Sequence, residues 1–132
     1  MIRRGDVVIV DFPFTDARQS KVRPAVVVQN DRDNQAIRKT VIALITGNTR
    51  RKNDPSHLFI DPHNAPGASS GLSFPSLVSC YNLFTVEQNS ILHVVGHLSD
   101  VLKQQLTTCL KGRIGFAISL MTGASGNLSN IS

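Results

Sequence analysis

For most of its length the chain alternates short β-branched runs with polar breaks, and near position 98 the period changes. Val7 to Phe12 is one such run, ended by Pro13. Residues 24–29 form a second run, apolar on both faces and so central in a sheet. Pro24 lacks an N–H and is expected at the first residue of that strand. Residues 30–38 are polar and read as a turn. Residues 40–46, 57–60, 77–83 and 92–97 read as further strands, with 61–73 as loop and 85–89 as one helical turn. From there Leu98, Val101, Leu102, Leu106, Cys109 and Leu110 recur at helical spacing. Ser99 suits the N-cap, Asp100 the first turn, Lys111 and Arg113 the last, and Gly112 the stop. The pattern predicts a mainly β fold with a C-terminal α-helix: a small, strongly bent antiparallel sheet with one apolar face under the helix. Residues 1–116 form the expected single domain. Residues 117–132, with Gly123, Ser125, Gly126, Asn127, Ser129 and Asn130, form an expected disordered tail.

Composition narrows this little. The 132 residues suffice for one domain. With no Trp and 5% aromatic residues, the core must be built of Val, Ile and Leu. The net charge of +5 is compatible with a polyanionic partner. Cys80 and Cys109 are far apart and outside any CxxC or Cys/His cluster, so they read as buried thiols in a reducing compartment. No apolar run approaches a membrane span or a leader core, and a cytoplasmic protein is expected.

Two positions carry candidate chemistry. Arg23 stands just before an apolar strand and Thr46 closes another. A guanidinium fork matches two phosphate oxygens and suits the extra charge of a pentacovalent phosphorane. A threonine hydroxyl can hold a phosphate oxygen or orient the attacking group. Arg18 and Lys21 precede Arg23, and Arg50, Arg51 and Lys52 follow Thr46. If both loops open on one side of the sheet they make a positive groove. Phe14, Phe74 and Tyr81 are the candidates for stacking on bases; Phe14 is best placed, and a core role is expected for the other two.

Other chemistries fit poorly. His93 and His97 have the spacing of a helical metal site but lie in a predicted strand, where four residues span roughly 13 Å. His57 and His63 have no obvious acid partner. No Gly-x-Ser-x-Gly elbow and no phosphate-cradling glycine loop before a helix occurs. No metal or cofactor is called for. RNA carries its own nucleophile, the 2′-OH, so its cleavage is largely a matter of positioning.

Arg4-Gly5-Asp6 with its following strand, Gln19 to Val28 with Arg23-Pro24, Ile45-Thr46, Ser70-Gly71-Leu72, Asn82 to Val86 and Gly96-His97-Leu98-Ser99 resemble, in order and spacing, the MazF/PemK (Kid-like) toxin family. The resemblance covers roughly residues 3 to 114. It implies an SH3-like barrel, a homodimer and sequence-selective cleavage of single-stranded RNA. It also implies a cognate antitoxin whose acidic, disordered tail fills the RNA groove, in a complex that binds DNA. Carried over, Arg23 and Thr46 are the catalytic pair, Gln19 belongs to the substrate loop, and Asn82 takes the place of a substrate-contacting glutamine. The chain departs from the family pattern at Arg18, where many members have Glu, at Gly47, where Ser is common, and at Phe84, a frequent Arg.

The expected function is therefore a metal-independent endoribonuclease toxin. Arg23 and Thr46 would be catalytic, and Arg18, Gln19, Lys21, Arg50 and Asn82 would bind RNA. The rivals are a gyrase-inhibiting CcdB-like toxin of the same barrel class and a non-catalytic RNA-binding barrel. Fold alone does not separate them.

Overall fold

Six strands hydrogen-bond into one antiparallel sheet: β1 (Asp6–Phe12), β2 (Lys21–Val27), β3 (Lys39–Thr46), β4 (His57–Ile60), β5 (Ser76–Glu87) and β6 (Ile91–His97). Two helices accompany them, α1 (Asp31–Ala36) and α2 (Asp100–Thr122). This computed structural model describes residues 1–12 and 21–122, and for Lys21 and residues 112–122 the backbone alone. The strand order is β4-β5-β3-β2-β1-β6, with β4 and β6 as unjoined edges.

Both faces of the sheet bury apolar side chains, which is why its central strands read as continuous runs. Val26, Ala43, Ile45 and Val78 meet Leu98, Leu102, Leu106 and Leu110 from the helical segment. On the other face, Val8, Val10, Phe12, Ala25, Val27, Ile42 and Val86 pack together with Ile2. Among the described residues no helix covers this second cluster, so the sheet must curl around it. Phe12 and Phe84 meet edge-to-face there, with centroids 5.7 Å apart. The result is a barrel-like fold whose sheet does not close.

The helix begins as expected: Ser99 Oγ accepts the Leu102 N–H at 3.3 Å. It does not stop at Gly112 but continues to Thr122, six residues into the expected tail. It runs through both Gly112 and Gly115, each of which costs only about 0.5–1 kcal/mol relative to Ala. Residues 123–132 lie outside the described residues.

Three further differences matter locally. Residues 31–36 form α1, capped by Asn30, whose side chain accepts the Asp33 N–H. This helix is held by polar bonds: buried Asn34 accepts from Gln29 Nε2 and Thr40 Oγ1 and donates to the Gln29 carbonyl. β5 runs on to Glu87 where a helical turn was expected, and a 3-10 turn over Gln88–Ser90 follows. Pro24 is the fourth residue of β2 and not its first.

Candidate active site

Pro24 determines where the sheet opens. β2 pairs with β3 through Ala25↔Leu44, Val26↔Ala43 and Val27↔Ile42, and the ladder ends there. The Val28 N–H donates to the Val41 carbonyl on β3 at 2.9 Å. Alternate residues of a strand donate to the same neighbour, so the nitrogens of residues 26 and 24 also face β3. At 24 that nitrogen carries no hydrogen, and pairing stops. On its other side β2 stays paired with β1 as far as Lys21. Continued by two residues, the β2–β3 register sets Arg23 opposite Thr46, where no rungs hold the strands together.

A second irregularity widens the gap. On β5, Leu77 and Val78 pair with Thr46 and Ile45, and the next rung joins Leu83 to Ala43. Leu44 alone therefore faces residues 79–82. A bulge of this kind commonly re-aims side chains beside a site. Here it leaves Tyr81 and Asn82 exposed in succession.

Between these breaks lies a cleft of about 470 Å³. Arg23, Thr46, Arg50 and Asn82 all line it, with Asn48, Arg51, His57, Ser79 and Tyr81. Among the described residues three arginines contribute and no carboxylate does. The Arg23 side chain is exposed and makes no ion pair among the described residues. The Thr46 hydroxyl accepts the Asn48 N–H at 3.2 Å, and Asn48 Oδ1 accepts the Arg50 N–H at 3.0 Å. These two side-chain turns fix the backbone that carries the basic loop, and leave the Thr46 O–H proton available to donate. The ring of Phe74 lies over Gly47, so any Cβ at 47 would strike it.

The remaining titratable groups lie elsewhere. Lys52, third in the basic run, sits over the Phe59 ring at 5.6 Å and not in the cleft. His93 and His97 are in β6, as the strand reading required. Among the described residues no three His, Cys, Asp or Glu side chains gather in a metal-holding group. Cys80 and Cys109 are buried free thiols. A hydrogen bond with Cys109, followed by burial, pushes the Cys80 thiol up, away from reactivity. Burial lowers the Arg4 guanidinium against the pull of Asp31, and its Nη2 donates to Thr107 Oγ1 at 2.8 Å, tying the N-terminus to α2. Hydrogen bonds from the His63 N–H and the Asn64 side chain lower the Asp61 carboxyl, stiffening the 61–67 turn. No helix among the described residues is long and apolar enough to cross a membrane.

Residues 3–112 match the family model of the PemK-like, MazF-like toxins of type II toxin–antitoxin systems. The chain belongs to this family. It is 27% identical over 116 residues to the endoribonuclease MazF of Staphylococcus saprophyticus, covering 87% of this chain and 92% of that protein. An endoribonuclease from a mycobacterial species, solved with its cognate antitoxin, superposes with a TM-score of 0.69 at 18% identity, covering 88% of this chain and 97% of that one. MazF of Deinococcus radiodurans, solved as a MazE–MazF assembly, gives 0.66 at 17% identity, covering 86% and 96%. The barrel-like architecture is thus that of MazF toxins.

Within this PemK/MazF chain, four of the seven residues singled out in the sequence, Arg23, Thr46, Arg50 and Asn82, meet in one cleft. Lys21 opens β2, two residues before Arg23. Arg18, Gln19 and Phe14 lie outside the described residues. Tyr81 and Phe74, expected in the core, are instead 49% and 57% exposed. Of the other cleft residues, Arg51 belongs to the expected positive groove and Tyr81 to the candidates for base stacking, while no catalytic role was expected for His57. The basic run was the signal for Arg51. Nothing in the alternation along β5 signals the bulge that turns Tyr81 outward.

Proposed function

We propose that this toxin is a metal-independent endoribonuclease in which Arg23 and Thr46 act on the scissile phosphate. The observation that carries the reading is the opening of both side chains into one cationic cleft where the β2–β3 ladder ends. The substrate's 2′-OH attacks the adjacent phosphorus in line, the P–O5′ bond breaks, and the products end in a 2′,3′-cyclic phosphate and a 5′-OH. Charge builds on the non-bridging oxygens, where the Arg23 fork offers two fixed donors. Thr46 already accepts from Asn48, so its O–H donates to a phosphate oxygen and helps hold the attack geometry. Arg50 and Arg51 take flanking phosphates, Asn82 reads a base edge, and Lys21, Arg18 and Gln19 extend the track. Selectivity for base sequence belongs to these flanking contacts.

The same positive cleft suits an acidic antitoxin segment, which would block RNA by occupying it. The mycobacterial and Deinococcus relatives solved with antitoxins support such a partner. A second copy of the chain has an edge to meet: among the described residues β6 pairs with β1 alone, and it exposes Leu92, Val94 and Val95.

The test is incubation of the purified protein with varied RNAs in excess EDTA. Cutting that leaves cyclic phosphate ends and disappears in Arg23→Ala is expected. A requirement for added metal, or full activity in Arg23→Ala, overturns the mechanism.

A further inference from the structure

Tyr81 is a cleft residue that neither the phosphate chemistry nor the core uses. It lies in the part of β5 released from β3, is about half exposed, and lines the cleft that Arg23 and Thr46 share. A single exposed aromatic ring is ordinary on a protein surface. This one is set apart by what stands behind it. The His57 ring meets it perpendicularly, at 5.3 Å between centroids and 85° between planes. The His57 side chain is itself only 4% exposed. Its Nδ1 lies 3.3 Å from Ser56 Oγ, which donates to Asp54 Oδ1 at 2.7 Å, and the Ser56 N–H donates to the same oxygen at 2.9 Å. The chain thus builds a small polar anchor beneath β4 whose outer member holds an aromatic ring still.

A ring held this way loses little freedom when something stacks on it, which is what a recognition platform needs. The neighbouring groups select the partner. Among the described residues arginines line the cleft without a carboxylate, and Asn82 next in sequence presents an amide. A flat, uncharged π-face joined to a phosphate meets both demands, and every nucleobase has one. We propose that Tyr81 is the base-stacking platform of this site, that it seats one nucleotide flanking the scissile phosphate, and that His57 is its positioning residue. This rests on the nuclease reading above and adds to it a substrate-selecting contact.

The chain holds a single tyrosine and no tryptophan, so its intrinsic emission reports on Tyr81 alone. Full-length wild-type protein is titrated with 2′-O-methyl RNA oligomers, which present bases and phosphates but lack the attacking hydroxyl. Binding is followed in parallel by polarisation of a labelled oligomer. Tyrosine emission is expected to fall with the same midpoint as binding. Tyr81→Ala is expected to weaken binding about 5- to 150-fold, and Tyr81→Phe to retain it. A single abasic position in the oligomer should reproduce the loss in wild type and remove the difference between wild type and Tyr81→Ala. A purely structural tyrosine would show no such coupling.

Binding with unchanged emission overturns the proposal, and so does equal affinity in Tyr81→Ala. The emission experiment needs no variant, so the proposal can still be overturned if Tyr81→Ala fails to fold. Wild-type protein that neither cuts RNA nor binds the oligomers would sink the nuclease reading itself, and the platform with it. Wild-type protein that cuts RNA while its emission is unaffected by binding removes the platform alone.

Discussion

Arg23 and Thr46 reach the cleft by position, each at the frayed end of a well-paired strand, and their chemistry makes separable predictions. Arg23→Lys keeps the charge and loses the fork, so cleavage should slow markedly while RNA affinity changes little. Arg23→Ala should lower kcat by about 10²- to 10³-fold, the usual effect of deleting one donor to a developing oxyanion. Thr46→Ser keeps the hydroxyl and should stay close to wild type. Thr46→Val removes the proton donor and also strands the Asn48 N–H, so it should lose rate and loosen the turn that carries Arg50. Single-turnover kinetics on a short RNA separate these outcomes. The pair was legible in the sequence because each residue abuts an apolar run that has to be a strand. Tyr81 stands among the stacking candidates in the sequence, but its exposure was not legible, because alternation along β5 says nothing about a break in pairing with β3.

At the scale of elements, the apolar runs marked β1, β3, β4 and β6 to within one residue, while β2 begins three residues before its apolar run. β5 was read short because residues 84–87 are only partly buried. α1 escaped notice for a related reason: a buried amide network holds it, and hydrophobic periodicity cannot register that. Two substitutions test how the elements are joined. The backbone of Ser69 and Ser70 lies directly against Gly96 in β6, and Ser69 Oγ donates to the His97 carbonyl at 2.8 Å. Gly96→Ala should destabilise by about 1–3 kcal/mol, because the obstacle is backbone that cannot swing aside. Leu106 is fully buried between α2, which carries it, and the sheet, and Leu106→Ala should cost about 2–5 kcal/mol. Urea unfolding midpoints check both. Neither residue touches the cleft, so cleavage by the folded fraction should persist.

The molecule as a whole combines a sealed core with an open cationic face. Cys80 is fully buried in the core, so thiol reagents should label it only as fast as the protein unfolds, and urea should accelerate its labelling steeply. Binding to RNA should weaken as salt rises. Replacing Arg50 and Arg51 by Ala should shallow the log–log slope by about 0.7 for each single-strand phosphate that is no longer neutralised. Salt titrations of wild type and the double variant measure this directly. The net charge of +5 announced a polyanion without saying where it would lie; only the folded arrangement gathers Arg23, Arg50 and Arg51 at one mouth.

The imino ring at position 24 works as the stop on a zipper. Had residue 24 an amide hydrogen, β2 and β3 could fasten two rungs further, and the slot between guanidinium and hydroxyl would narrow. Pro24→Ala should therefore leave the urea midpoint within about 1 kcal/mol of wild type, a new rung offsetting the extra freedom of the unfolded chain, while cleavage slows. The toxin would then owe its working aperture to a hydrogen that its backbone never had.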